Sequence, residues 1–142
     1  MLELESINNR LNETFDEGFE WLDILNELSD KLEVLNQNKI EQLANDIGEE
    51  NVPVLLGIFL GELESYIAYL SDPAAADKLS YLREISHALK SSAASFGAEQ
   101  LCCSAIEIDA RVKNGQPLSE AGDVSHMVEL LGTTLSRYQQ LV

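Results

Sequence analysis

His87 stands in the middle of an amphipathic segment, with Arg83 one helical turn before it and Lys90 and Ser91 three and four residues after it. An exposed imidazole is a good nucleophile when neutral and can take a phosphoryl group onto a ring nitrogen. Lys90, together with Arg83, could offset the negative charge of such a group. Ser91 and Ala94 are small and share the general face of His87, so a partner's active site could reach the ring. Phosphoryl transfer asks little more of this chain than position and electrostatics.

Helical phase separates this histidine from the core. At 100° per residue, Leu82, Ile85, Leu89, Ala93 and Phe96 cluster within about 80° of one another, and His87 points about 170° away, into water. An exposed histidine alone is usually only a solvated side chain. His126 also lies opposite its stripe of Val124, Met127, Leu131, Leu135 and Tyr138, but Glu129 and Leu130 are its neighbours and no base adjoins it. It is assigned to the surface. Cys102 and Cys103 are adjacent, cannot readily bridge each other within a helix, and fit no metal-binding spacing. They are expected to be reduced helix residues, and no metal site is expected in the chain.

The formal net charge of −16 over 142 residues argues against binding to nucleic acid or to anionic membrane surfaces. Residues 1 to 33 hold 10 of the 25 acidic residues and 2 of the 9 basic ones, a net of −8. Between Lys78 and Ala98 the sign reverses, because Lys78, Arg83 and Lys90 face only Glu84. No secretory signal or long uninterrupted apolar run is evident, so a cytoplasmic protein without a membrane span is expected.

Almost the whole chain reads as helix. Residues 2 to 33 form an acidic amphipathic pattern through Leu4, Ile7, Leu11, Phe15, Leu22 and Leu25, with Gly18 as a break. A short helix over 37 to 47 stops at Gly48, and Asn51 is placed to cap a helix over 52 to 70 with Pro53 in its first turn. Further helices are expected over 76 to 96, ending at Gly97, over 98 to 114, ending at Gly115, and over 119 to 140, starting near Ser119 or Asp123. Long amphipathic helices with short loops pack as an antiparallel four-helix bundle, with the N-terminal helix as an addition.

In the helix over 52 to 70 the core stripe is expected at Val52, Leu55, Phe59, Leu63, Tyr66 and Leu70. Its opposite face carries Gly57, Gly61, Glu64 and Ala68. A glycine within a helix costs about 1 kcal/mol against alanine, so two of them point either to close approach by a partner or to tight packing on another helix. Val54, Ile58 and Tyr69 on the flank could extend a docking surface.

The run His87-Ala88-Leu89-Lys90-Ser91-Ser92-Ala93-Ala94-Ser95-Phe96-Gly97-Ala98 resembles the signature of histidine phosphotransfer (HPt) domains: His, any residue, Leu, Lys, a small residue, Ser, then Gly-Ala some ten residues after the His. Further similarity runs through Val34 to Ile40, Asn51 to Leu56, Ile58 to Glu62 and Glu84 to Ala98. It narrows the resemblance to the monomeric HPt proteins of vibrio quorum-sensing relays. The resemblance implies a helical bundle, His87 as phosphoacceptor, Lys90 as its charge partner and Gly97 as the helix stop. It implies a receiver domain of a hybrid sensor kinase as donor and the receiver of a transcriptional response regulator as acceptor. No cofactor is implied for this chain, since the magnesium belongs to the receiver. Nothing in the sequence resembles a Gly-rich nucleotide loop, so no kinase activity of its own is expected. Lys78, Arg83 and Lys90 would then steer an acidic receiver.

One departure stands out. Ser91 takes the place of the usual glycine after the lysine, which either tightens access to the ring or adds a hydrogen bond. Residues 34 to 142 are thus assigned to the HPt domain and residues 1 to 33 to an extension, which could pack on the bundle, dimerise or meet a partner. The competing function is a non-catalytic helical adaptor or oligomerisation protein, in which His87 would be incidental.

Overall fold

The computed structural model describes residues 32 to 141, which form five helices joined by short connections. They are α1 (Gln37–Ile47), α2 (Val52–Ser71), α3 (Lys78–Phe96), α4 (Glu99–Lys113) and α5 (Ser125–Gln139). The expected helix over 2 to 33 falls almost wholly outside these residues, and its last two, Leu32 and Glu33, are not helical.

Helix α3 follows directly from local chemistry. Asp77 caps it, its carboxylate accepting from the Ser80 N–H, in a left-handed conformation (φ 45°) that Asp tolerates better than most residues. Leu82, Ile85, Leu89 and Ala93 are buried, as their phase requires, and Phe96 is partly buried. Gly97 ends the helix at φ 78°, its N–H returning to the carbonyls of Ala93 and Ala94.

Gly97 also answers a steric demand. A Cβ there would lie 2.8 Å from the Lys39 Cβ and 3.0 Å from the Asn36 carbonyl oxygen. The entering chain needs that space. The Asn36 N–H donates to the Gly97 carbonyl, and the Gln100 N–H donates to that of Glu33. Glu99, 7% exposed, accepts from the Glu33 N–H and from the Asn36 side-chain amide, while Leu32 and Leu35 enter the core. Gly97→Ala is therefore expected to destabilise the protein by about 1–3 kcal/mol, combining left-handed strain with a displaced entry segment. Urea unfolding of the two proteins would check this.

Around the bundle α2 packs on α3 and α5, and α4 on α3 and α5. Phe59 of α2 stacks on Phe96 (centroids 4.6 Å apart) and meets Tyr138 edge-on at 5.5 Å. The Tyr138 hydroxyl donates to the Phe96 carbonyl at 2.7 Å, tying α5 to the end of α3. Arg111 clamps the α4–α5 connection by bonding both carboxylate oxygens of Asp123 and the Pro117 carbonyl. Ser119 caps the single π turn, Glu120–Val124, that leads into α5.

Some expected details differ. The buried stripe of α2 is Val52, Leu56, Phe59, Leu60, Leu63 and Leu70, with Leu55 and Tyr66 only partly buried. The helix packs on both α3 and α5. Asn51 does not cap α2 through its side chain, which instead donates to the Ile47 carbonyl from a 3₁₀ turn, Glu49–Asn51. By length and composition the segment Glu49–Ser71 would pass for a membrane span. Leu56, Phe59, Leu63 and Leu70 of that segment are buried in the bundle, whereas Val54 and Ile58 are exposed.

Candidate functional site

Helix α3 holds His87 with 71% of its side chain exposed, midway along the helix and opposite the buried stripe. The neighbouring helix α4 presents Asp109, its side chain 11% exposed, to the same place. The two oxygens of this carboxylate are divided. Oδ1 lies 3.5 Å from the His87 Nδ1, whereas Oδ2 accepts from Lys90 at 2.6 Å and lies 2.8 Å from the Lys113 ammonium. Partial burial alone would raise the Asp109 carboxyl. Hydrogen bonds from Lys113 and Lys90 overcome that and hold it below the usual carboxylate range.

The arrangement suits group transfer. One ring nitrogen faces a carboxylate, which leaves the other, Nε2, directed away and open. Two ammonium groups share the carboxylate that faces the ring, so a local positive charge persists in a strongly acidic protein. Lys90 is partly buried, 21% exposed, and anchored, while Lys113 is half exposed.

The other expected residues divide. Arg83 and Ser91 are exposed one turn either side of His87, and Ala94 is partly exposed further along. Among the described residues no carboxylate lies within ion-pairing distance of Arg83. Lys78 does not join them. It lines a groove at the other end of α3 with Leu70, Ser71, Glu120, Val124 and Glu129, on the side of the helix opposite His87. Gly57, Gly61, Glu64 and Ala68 are all exposed on the outer face of α2. Nothing among the described residues lies within 4 Å of a Cβ built at Gly57 or Gly61, so no tight helix contact there explains the two glycines. Val54 and Ile58, 62% and 65% exposed, continue that face. Tyr69 instead stacks on Tyr81 at the α2–α3 seam, with centroids 3.9 Å apart.

Asp109 and Lys113 are the site residues that sequence reasoning missed. The available signal was an acid within a helix otherwise lined by Cys102, Ala105, Ile106 and Ile108, with a lysine four residues on. A charge in such a setting is rarely buried without a partner. The remaining chemical candidates are quiet. Burial pushes the thiols of Cys102 and Cys103 up to about 12, so neither is an available thiolate. His126 is exposed on α5, as expected.

Comparison with known proteins bears on the same residues. The Hpt domain family model matches residues 54–140. The phosphorelay protein LuxU of Vibrio cholerae is 56% identical over 110 residues, covering 78% of this chain and 97% of that protein. LuxU of Vibrio harveyi is 53% identical over 107 residues, covering 75% of this chain and 94% of the relative. Among solved structures, the histidine-containing phosphotransfer protein HptB of Pseudomonas aeruginosa PAO1 superposes with a TM-score of 0.62 over 75% of this chain and 92% of its own. At 20% identity that likeness speaks for the fold alone. With an exposed histidine facing a carboxylate that two lysines hold, on a helical bundle of this kind, the chain belongs to the Hpt domain family and is a histidine phosphotransfer protein of a two-component phosphorelay.

Proposed function

We propose that His87 accepts a phosphoryl group from the receiver aspartate of a hybrid sensor kinase and passes it to the receiver of a transcriptional response regulator, in a cytoplasmic quorum-sensing relay. The observation that carries this reading is the His87 ring, 71% exposed in mid-helix and facing a carboxylate that also holds the Lys90 and Lys113 ammonium groups. The lysines supply electrostatic stabilisation to a group gaining negative charge near the ring, and Arg83 adds a further cation one turn away. The metal and the acidic pocket belong to the receiver. On this reading residues 34 to 142 are the working domain, acting as a monomer, and residues 1 to 33 are an addition to it.

The test is transfer in vitro. A receiver domain carrying an aspartyl phosphate is mixed with the protein and label on this chain is followed. Acid-labile, base-stable label supports a phosphohistidine. Absence of label across several receivers would favour a non-catalytic adaptor.

The receiver is expected to dock over α3 and onto the outer face of α2. There Gly57 and Gly61 leave the helix backbone accessible beside Ile58 and Val54. Placing a charge in that apolar flank, as in Ile58→Asp, should weaken receiver binding by about tenfold or more through its desolvation cost. Binding of a fluorescently labelled receiver would measure it. An unchanged affinity would take the α2 face out of the interface.

A further inference from the structure

Asp109 is placed for more than charge balance. Its Oδ2 is engaged by Lys90 and Lys113, while Oδ1 is left facing the His87 Nδ1 at 3.5 Å, a gap that a small rotation of an exposed ring closes. The carboxylate is only 11% exposed and tied at its far oxygen by two cations. It is therefore a fixed acceptor, and a fixed acceptor at Nδ1 favours the tautomer in which Nδ1 carries the proton.

We propose that Asp109 is a positioning residue that keeps the His87 proton on Nδ1 throughout the relay, so that Nε2 always presents its lone pair to the incoming phosphoryl group. The inference rests on His87 being the phosphoacceptor. The steps then balance without proton transfer. In the first, the Nε2 lone pair forms a bond to the phosphorus of the donor's aspartyl phosphate. The P–O bond to that aspartate breaks, and the donor carboxylate leaves with the electron pair. The ring now carries a positive charge and its Nδ1 proton, and Asp109 Oδ1 faces both. In the second, a carboxylate oxygen of the acceptor receiver attacks phosphorus and the N–P bond breaks. The electron pair returns to Nε2, and the ring is again neutral with its proton on Nδ1. A carboxylate is suited to both states, as acceptor for the neutral ring and as counter-ion for the phosphorylated one. Its second oxygen meanwhile holds the Lys90 and Lys113 ammonium groups.

A carboxamide could not serve in this way. In Asp109→Asn the amide oxygen would turn to the two ammonium groups, because an NH₂ cannot accept from them. The amide NH₂ would then face Nδ1 and drive the ring proton onto Nε2, removing the nucleophilic lone pair.

The experiment is long-range ¹H–¹⁵N correlation on the ¹⁵N-labelled full chain, which reports which ring nitrogen is protonated, paired with initial rates of labelling from a phosphorylated receiver. The unmodified protein is expected to show His87 with Nδ1 protonated. Asp109→Asn is expected to invert the tautomer and slow labelling by about tenfold or more. Asp109→Glu is expected to recover much of both. Finding Nε2 protonated in the unmodified protein would overturn the proposal, and that measurement needs no variant to fold. Slow labelling in Asp109→Asn with Nδ1 still protonated would also overturn it, leaving Asp109 a structural tie between helices. Undiminished labelling of His87→Gln would instead defeat the assignment of the phosphoacceptor itself.

Discussion

Replacing His87 with glutamine is expected to reduce phosphoryl acceptance by at least about 100-fold, to the limit of detection, while leaving the fold in place. A carboxamide nitrogen has its lone pair delocalised into the carbonyl and does not attack phosphorus, whereas a neutral imidazole nitrogen does. The two side chains are similar in reach and polarity, so receiver docking should survive. The side chain is 71% exposed and, among the described residues, its close partner is a carboxylate already held by two lysines. The effect on stability should therefore stay within about 0.5 kcal/mol, the usual range for a surface substitution. Labelling from a phosphorylated receiver and urea unfolding of the same preparation separate the two quantities. Equal labelling of both proteins would move the phosphoacceptor elsewhere. Loss of labelling together with a collapsed unfolding midpoint would show that the histidine is structural.

Much of this architecture is legible in the sequence, for a specific reason. In α3 one element carries the entire argument: the stripe of Leu82, Ile85, Leu89 and Ala93 fixes which side is buried, and helical phase then dictates that His87 faces water. The helix ends were equally local, because Gly48 and Gly97 both adopt the positive φ that glycine accepts. What local periodicity could not give were relations between helices. Asp109 lies 3.5 Å from His87 but on α4, and no spacing along the chain brings those two residues together. The buried stripe of α2 includes Leu56 and Leu60, on a helix that has both α5 and α3 for neighbours. Lys78 shares a helix and a charge with Lys90, yet it faces the groove beside Glu120 and Glu129. Grouping it with the site relied on nearness in sequence and neglected phase. The same holds for Asn51, whose cap residue type was right but whose side chain was taken by the Ile47 carbonyl.

The contrast between Ile58 and Phe59 carries this distinction into energetics. The two are adjacent on α2, both are large and apolar, and composition cannot tell them apart. Ile58 is 65% exposed and Phe59 is 1% exposed. Phe59→Ala removes a ring that stacks on Phe96 and meets Tyr138, the three aromatic groups that join α2, α3 and α5. It leaves a cavity at the point where the Tyr138 hydroxyl reaches the Phe96 carbonyl. A loss of about 3–5 kcal/mol is expected, combining the lost burial with incomplete collapse of the surroundings. Ile58→Ala should change stability by no more than about 0.5 kcal/mol. Urea unfolding of both variants would test the pair, with an unchanged m-value required if the denatured states are to be compared. A small effect at Phe59 would mean that the aromatic cluster is not the brace it is built as. Phe59 lies about two and a half turns of α3 from His87, near the C-terminal end of that helix, so its loss should spare the chemistry of a folded molecule and lower only the fraction that is folded. Labelling per folded molecule should be unchanged in Phe59→Ala at low temperature. The effects of Phe59→Ala on stability and His87→Gln on transfer should add when the substitutions are combined, because the two sites share no partner.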